Sequence, residues 1–275
     1  MLLLKKIINI VLYFFIFLRI LKKENNSLRI LMFHDINDLE KFEKILIHLK
    51  KEWKFISPDL FFKIYRNNQK IKKKLILLTF DDGFKSNIKV AEKILSKHNI
   101  KAIFFIPFHF INLKKVSDRR KFIRNNLKIK NLTENLYNMN LIDLKRLIKL
   151  KHKIGAHTYS HKDLKFTKNI KILNYEIIAS ANKFESILSK KINLFAFNFG
   201  RLKNISPTMM KIANRRFDFL FTGVRGKNSL NSKILFRDNV NQNDNIFDIT
   251  VYLNGTFDFI YKKERTKLKS FLGRL

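Results

Sequence analysis

One stretch of the chain constrains its fold more than any other: a run of strand-forming residues ends directly in two carboxylates. The run Leu75–Phe80 is followed at once by Asp81, Asp82 and Gly83. An ionised carboxylate that leaves water raises the free energy by several kcal/mol unless a cation or hydrogen-bond donors compensate its charge. The sequence therefore predicts a buried strand whose end lies next to a positive charge.

Strand and helix patterns alternate along the chain. Short apolar runs typical of strands are separated by segments whose apolar residues recur every three or four positions, as on one face of a helix. The predicted strands are Leu28–Phe33, Leu75–Phe80, Lys101–Ile106, Lys153–His157, Asn193–Phe199 and Phe217–Thr222, and predicted helices lie within 87–99, 140–152 and 169–190. This alternation favours an α/β fold with parallel strands, and 275 residues suffice for one closed or partly closed barrel.

A polar, basic segment rich in asparagine interrupts this alternation between Asn112 and Asn140. Insertions of this kind form substrate-facing loops or lids in some proteins and solvated surface excursions in others. The sequence leaves both interpretations open.

The charge of the chain is extreme, with a formal net value of +35. Such a charge favours anionic partners such as lipid headgroups, phosphorylated carriers or acidic glycans, although a strongly AT-biased genome also produces chains rich in Lys, Asn, Ile and Phe. The basic residues are spread along the chain without a recognisable binding motif, so nucleic acid is not expected as a partner. Because the chain has no cysteine, a metal would have to bind to His, Asp or Glu.

The predicted organisation has two parts, an N-terminal segment of residues 1–25 and one domain of residues 26–275. An apolar run from Ile7 to Leu18 lies between basic residues, but it is shorter than the roughly 20 residues that a membrane-spanning helix needs. The preferred interpretation is a lipid-surface anchor, with an uncleaved signal anchor and a buried structural helix as alternatives. We therefore expect a membrane-associated protein, with the cytoplasmic face and the cell envelope both open as its location.

A second polar constellation, "HTYSH", runs from His157 to His161 and follows the predicted strand that begins at Lys153. In a barrel, this strand end and the one before Asp81 lie at the same rim. Two imidazoles four residues apart face one point where the backbone is helical or tightly turned, and one carboxylate then completes a metal site. The other carboxylate is free to act as a base towards a water that attacks a carbonyl carbon. The pattern indicates a metal-dependent hydrolase.

At these residues the sequence resembles the NodB-homology polysaccharide deacetylases, the carbohydrate esterases of family four. "TFDDG" is similar to their first motif and "HTYSH" to their second, and the resemblance spans roughly residues 28–255. It implies a distorted (β/α) barrel and one divalent metal ion, with zinc preferred over cobalt, nickel or manganese. By resemblance, Asp81 is the general base, and Asp82, His157 and His161 are the metal ligands.

The third motif departs from the family pattern. In "FAFNFG", Asn198 stands in place of a proline, and Ala196 stands where other members have an arginine that contacts the catalytic Asp. Arg201 and Arg237 are both candidates to replace that arginine, and the sequence does not distinguish them. The backbone N–H of Phe199 is expected to bind the oxyanion of the tetrahedral intermediate.

The family's late histidine, which protonates the leaving amine, has no counterpart here, because no histidine follows His161. His34, in "ILMFHDI" at the end of the first predicted strand, resembles a histidine motif of a bacterial subgroup that includes exopolysaccharide deacetylases. We therefore expect His34 to be the general acid, with Asp35 either orienting it or beginning the loop. The other histidines lack evident partners and are expected to be structural or solvated: His48, His98, His109 and His152.

The leading functional hypothesis is a hydrolase of carbon–nitrogen bonds that removes an N-acetyl or N-formyl group from an amino sugar. The expected substrate is a surface polysaccharide or its lipid-linked precursor, and an anionic membrane surface is the other expected partner. The altered third motif suggests an alternative, a catalytically weak or silent glycan-binding protein on the same scaffold. A third interpretation is a basic peripheral membrane protein whose barrel is incidental.

Overall fold

The computed structural model describes residues 26–130, 137–230 and 232–273. Within them, one nine-stranded sheet contains β1 (Ser27–Phe33), β2 (Lys54–Phe55), β3 (Lys74–Phe80), β4 (Ala102–Ile106), β5 (Lys153–Ala156), β6 (Leu194–Ala196), β7 (Phe219–Phe221), β8 (Ile234–Leu235) and β9 (Asp238–Asn239). The spatial order is β8-β7-β6-β5-β4-β3-β1-β9, and β2 also pairs with β3. Every pair is parallel, so all carboxyl ends of the strands lie on one side of the sheet.

Helices surround the curled sheet, and several of them begin at a side-chain cap. The side chains of Ser57 and Ser206 accept hydrogen bonds from the first helical turn, and each is followed by a proline, which suits the first helical position. The helices are α1 (Leu39–Lys50), α2 (Pro58–Arg66), α3 (Ser86–Val90), α4 (Phe108–Ile111), α5 (Val116–Asn125), α6 (Leu141–Lys149), α7 (Ile170–Asn174), α8 (Ser180–Leu188), α9 (Pro207–Arg216), α10 (Ile246–Leu253) and α11 (Lys262–Ser270). A π-helical turn, Tyr175–Ala179, joins α7 to α8.

The strands are apolar on both faces because the sheet has a core on each side. Neighbouring side chains of a strand point to opposite faces, so Ile30 and Phe105 lie in the barrel interior while Leu31 and Phe104 pack under the helices. Phe61 of α2 joins the interior cluster. Full burial of a side chain of this size contributes roughly 1.5–3 kcal/mol, which explains why the strands are continuous apolar runs.

A short segment from Ile234 to Asn239 joins the two edges of the sheet. Its β8 half pairs with β7, and its β9 half pairs with β1. Arg29 of β1 donates two hydrogen bonds, of 2.8 and 2.7 Å, to the carboxylate of Asp238, and both side chains are buried. Arg237 lies between the two halves of this segment. The barrel therefore closes beside its first strand.

The predicted barrel is confirmed, with differences at the ends of the strands. The strand expected over Asn193–Phe199 is limited to β6, because Phe199 and Gly200 adopt left-handed conformations with φ of 58° and 54°. The sequence analysis missed β2, β8 and β9, which are only two residues long. The predicted N-terminal anchor lies outside the described residues. No described helix has both the length and the apolar character required to cross a membrane.

Candidate active site

The two carboxylates at the end of β3 point in different directions because the backbone turns sharply after Asp81. The Asp81 N–H still donates to the Phe33 carbonyl at 2.8 Å, whereas Asp82 and Gly83 have φ of 73° and 76°. A Cβ atom on Gly83 would lie 2.9 Å from the side chain of Ile106. Glycine is therefore required here both by the positive φ and by the close packing.

The segment from His157 to His161 is a tight turn, not a helix. Thr158 and His161 have φ of 57° and 56°, and the Thr158 hydroxyl accepts a hydrogen bond from the His161 N–H at 2.9 Å. His157 Nδ1 lies 2.8 Å from the Ala196 carbonyl oxygen, and His161 Nδ1 lies 3.0 Å from that of Asn126. A carbonyl oxygen only accepts, so each Nδ1 carries a proton, and in the neutral rings each Nε2 presents a lone pair.

Three electron-pair donors consequently converge on one buried point. Asp82 Oδ1 lies 3.5 Å from His157 Nε2 and 3.2 Å from His161 Nε2, and the three ligand atoms lie within 4.8 Å of one another. Among the described residues, no hydrogen bond of acceptable geometry reaches Asp82 Oδ1. A divalent cation fits this arrangement, because two imidazoles and a carboxylate are a common ligand set with free coordination positions.

Electrostatics at this point also favour a bound positive charge. Burial alone would raise the pKa of Asp82, but the adjacent imidazoles of His157 and His161 hold that pKa well below its usual range. Burial alone would lower the pKa of His161, but the neighbouring Asp82 carboxylate raises it. The carboxylate is thus ionised in a buried place, where a bound cation would compensate its charge.

The main partner of the Asp81 carboxylate is Arg237. Arg237 Nη1 and Nη2 donate to the two Asp81 oxygens at 2.7 and 2.8 Å, and both side chains are only 1% exposed. The guanidinium also donates to the Thr222 carbonyl oxygen and to the Thr79 hydroxyl. Of the two arginines that the sequence left open, Arg237 is therefore the one that contacts Asp81, and Asp81 Oδ2 lies 3.7 Å from His157 Nε2.

Arg201 lies on the wall of the same cleft but makes different contacts. It forms an ion pair with Glu264 and lies over the ring of Tyr261 at 5.1 Å. Phe199 packs its ring against His161, with centroids 4.9 Å apart. Asn198, which stands in place of the family's proline, donates to the Lys162 carbonyl oxygen and so ties the third motif to the turn that carries His161.

A cleft with a volume of about 730 Å³ opens above these groups at the carboxyl ends of the strands. His34, which follows β1, lines the cleft together with Asp81 and Asp82. Asp35 accepts hydrogen bonds from Ser86 and Asn37 at 2.6 and 2.7 Å. Of the two roles considered for Asp35, these contacts favour shaping the loop over orienting His34.

The polar insertion contributes to the cleft. Its helix α5 leads to Asn126, whose carbonyl oxygen accepts from His161 and whose side chain donates to the Ser160 carbonyl oxygen at 2.7 Å. Leu127 and Ile129 then line the cleft. Of the two interpretations that the sequence left open, the described part of the insertion favours the substrate-facing one. Residues 131–136 lie outside the described part.

Glu176 supports the histidine turn, and the sequence analysis missed it. The side chain lies in the π-helical turn and is 4% exposed. Its two oxygens accept from the Ser160 N–H at 2.9 Å and from the Ser160 hydroxyl at 2.6 Å. Both donors belong to the residue before His161, so Glu176 holds the metal-site turn in place from behind. The signal that could have found it is a carboxylate on the apolar face of a helical pattern, because Glu176 follows Leu173 by three positions and precedes Ile177.

We expect Glu176→Gln to weaken divalent-metal affinity about tenfold or more, the usual lower range for residues that support metal ligands. The amide can accept only one of the two Ser160 hydrogen bonds. Isothermal titration with zinc measures the effect. Glu185→Gln is the matched control, because Glu185 lies on the continuing helix and accepts the Ile192 N–H far from the turn. Equal affinities in the two variants would remove Glu176 from the support of the site.

The histidines outside the site are structural, but the expectation that they lack partners was wrong. His98 Nε2 lies 2.5 Å from Glu43, and His48 Nε2 lies 3.3 Å from the Thr250 hydroxyl. His152 Nδ1 accepts from the Ala102 N–H at 3.0 Å, and burial lowers the pKa of this imidazole to about 4. The ring of His109 packs against Phe122. These partners come from distant parts of the chain, so no local pattern predicts them.

Comparison with known proteins gives one family match. The sequence model of the polysaccharide deacetylase family matches residues 68–216, which include both strand-end motifs. No curated protein sequence matches the chain significantly.

Several solved structures share the fold. IcaB from Ammonifex degensii has a TM-score of 0.68 at 18% identity, covering 84% of this chain and 98% of its own. The Streptococcus pyogenes deacetylase PplD, solved with acetate, has a TM-score of 0.65 at 18% identity, covering 84% and 99%. A de-N-acetylase from Aggregatibacter actinomycetemcomitans has a TM-score of 0.64 at 12% identity, covering 82% and 100%. At these identities the likeness shows the fold alone.

Proposed function

Because the chain belongs to the polysaccharide deacetylase family, a family of carbon–nitrogen hydrolases, we propose that it removes N-acetyl groups from amino sugars of a surface glycan in a metal-dependent reaction. The observation that carries this proposal is the convergence of Asp82, His157 and His161 on one point beside the paired carboxylate of Asp81. The names of the structural neighbours, a de-N-acetylase among them, support the N-acetyl group as the target. A lipid-linked precursor is the alternative form of the substrate.

Asp82, His157 and His161 would hold the metal, and zinc suits two imidazoles and one carboxylate. When bound, the cation supplies Lewis acidity and lowers the pKa of a water in its coordination sphere. The Nδ1 hydrogen bonds to the Ala196 and Asn126 carbonyl oxygens fix both rings in the orientation that binding needs. These contacts prepare the site before any substrate arrives.

Asp81 would take the proton of the attacking water. Its oxygens are fixed by Arg237, so the base is aligned without a rotation at the moment of reaction. The Phe199 N–H, on the left-handed turn beside His161, would donate to the developing oxyanion. His34, on the same cleft wall, would give a proton to the nitrogen as the carbon–nitrogen bond breaks. The products are acetate and a free amino sugar.

The proposal is tested with purified protein and N-acetylglucosamine oligomers. Mass spectrometry should show a loss of about 42 mass units per acetyl group removed. Removal of metal with a chelator should abolish this deacetylation, and addition of zinc should restore it. Lipid-linked N-acetyl sugars in a parallel reaction distinguish the two substrate forms. Binding of the oligomers without any mass change would favour the silent glycan-binding alternative instead.

We expect His34→Ala to lower turnover of an N-acetyl sugar by roughly 10²–10⁴-fold, the usual contribution of a positioned general acid. Turnover of an aryl acetate should fall much less, because its leaving group departs as a stable anion and does not need a proton. Steady-state rates on both substrates, with metal content measured alongside, give the comparison. His48→Ala is the control, since His48 contacts the Thr250 hydroxyl and does not line the cleft. Equal losses of rate on the two substrates would exclude His34 as the acid.

A further inference from the structure

A second depression opens beside the catalytic cleft, and the proposed reaction gives it no role. Its lining lies within residues 109–126, which follow β4, and residues 159–176, which follow β5. Both connections leave the carboxyl ends of strands, so the depression is on the same side of the sheet as the cleft. Its volume is about 530 Å³, within the range of roughly 300–1,000 Å³ that ligand sites occupy. We call it the side depression.

The side depression and the catalytic cleft lie on two sides of the same wall. Asn126 lines the side depression, and the next residue, Leu127, lines the cleft. In the histidine turn, Ser160 lines the side depression and His161 lines the cleft. Consecutive Cα atoms are about 3.8 Å apart, so the wall has the thickness of a single chain segment. A ligand that is longer than the cleft can continue over this wall into the side depression.

The charges that line the side depression balance, although the chain as a whole has a net charge of +35. Its cationic side chains are Lys121 and Lys162. Its carboxylates are Asp118 and Glu176. A groove elsewhere, between α2 and the starts of β5 and β6, is lined by six cationic side chains and a single carboxylate. The side depression therefore suits a neutral ligand better than a phosphate or another anion.

Polar groups of α5 border the side depression. Asp118, Lys121 and Asn125 recur at helical spacing, so they lie on one face of α5, and all three are exposed. A carboxylate only accepts hydrogen bonds, an ammonium group only donates them, and an amide does both. Hydroxyl groups also donate and accept, so this set suits a ligand that has several hydroxyl groups.

Two tyrosines line the part of the depression that follows β5. Tyr175 is 48% exposed, and its ring centroid lies 4.7 Å from that of the half-buried Tyr159. The ring of His109 stacks on Tyr159 with centroids 6.0 Å apart, and hydrogen bonding with Tyr175 raises the pKa of Tyr159. A tyrosine has a large apolar face and a polar hydroxyl. A pyranose ring matches it, because such a ring has an apolar C–H face and hydroxyl groups at its edge.

We propose that the side depression is a second sugar-binding site, which holds one residue of the glycan chain whose N-acetyl group lies in the catalytic cleft. Tyr175 packs on the C–H face of that sugar, and Asp118 and Asn125 form hydrogen bonds with its hydroxyl groups. The inference rests on the proposed function, and it adds chain length to what the protein recognises. A polymer fills both sites, whereas a short lipid-linked sugar fills only the cleft.

Binding is measured by isothermal titration of Asp81→Asn protein with the dimer and the hexamer of N-acetylglucosamine, because loss of the base prevents turnover during the titration. In this background, Tyr175→Ala should lower the affinity for the hexamer roughly five- to tenfold, the usual effect of one lost aromatic contact. The affinity for the dimer should change little. Phe247→Ala is the matched control, because Phe247 is an exposed ring on α10 and belongs to neither lining.

A second variant, Asn125→Ala, tests the polar side of the depression without changing an aromatic ring. It should also lower the affinity for the hexamer more than the affinity for the dimer. Equal losses for the two oligomers, hexamer affinities equal to that of the control, or no binding of the hexamer to Asp81→Asn protein would overturn the proposal.

The chemistry of the catalytic cleft is tested separately, by mass spectrometry of the hexamer after incubation with the full-length natural chain. Deacetylation without any effect of Tyr175→Ala or Asn125→Ala on hexamer affinity would refute the second sugar site alone. Selective losses of hexamer affinity without deacetylation would support the second sugar site and refute the proposed chemistry.

Discussion

An Asp81→Asn protein should retain one equivalent of bound metal and lose most of its turnover, by roughly 10²–10⁴-fold or more. Asparagine keeps the shape of the side chain and an acceptor for Arg237, but it cannot take a proton from water. Metal analysis by mass spectrometry and rates on an N-acetylglucosamine oligomer measure the two properties separately. Asp163→Asn, a change of the same kind at an exposed loop position near the site, is the control and should alter neither.

The opposite result is expected for the three converging side chains. Asp82→Ala, His157→Ala and His161→Ala should each lose bound metal together with activity, because every one removes one of the three ligand atoms that the described residues bring to the site. An Asp81→Asn protein that cannot be loaded with metal at saturating zinc would show that Asp81 is a ligand and that the roles of the two carboxylates are misassigned.

Arg237→Met should lower the free energy of unfolding by about 3–5 kcal/mol, the usual loss when one partner of a buried ion pair is removed. The buried Asp81 carboxyl group would then lack its two guanidinium hydrogen bonds. Turnover should fall as well, because the base loses its alignment. Urea denaturation followed by circular dichroism measures the stability.

A double variant separates the lost charge pair from lost packing. Asp81→Asn added to Arg237→Met removes the uncompensated charge, so most of the lost stability should return. Arg201→Met is the comparison for an arginine at the cleft wall, and its partly exposed ion pair with Glu264 should contribute no more than about 1 kcal/mol. If the double variant is as unstable as Arg237→Met alone, the cost arises from packing of the arginine and not from the Asp81 charge.

The sequence predicts the parts of this molecule that depend on local pattern. The long strands are continuous apolar runs because both faces of the sheet are buried. The carboxylates and the imidazoles directly follow two of those strands. Parallel strands place these ends on the same side of the sheet, so the topology brings Asp82 and His161 together. The choice of Arg237 over Arg201 could not be made in this way. It depends on the path of β8 and β9, which are too short to leave a pattern.

Glu176 shows a second limit of sequence reasoning. Its spacing from Leu173 and Ser180 places it on the buried face of the helical pattern, but the sequence does not say which donors its carboxylate meets there. The histidine partners illustrate the same limit, because Glu43 and Thr250 are distant in sequence from His98 and His48. Contacts between side chains of unrelated segments are a property of the assembled fold.

The segment Ile234–Asn239, which joins the two edges of the sheet, also determines when the active site forms during synthesis and folding of the chain. Asp81 and Arg237 are separated by 156 positions, so the pair forms only after nearly the whole domain has left the ribosome. Contacts of such long range carry a large loop-closure entropy and form late. We therefore expect partly folded chains to have neither a closed barrel nor an aligned base, so that hydrolytic activity appears with the last strands and not gradually.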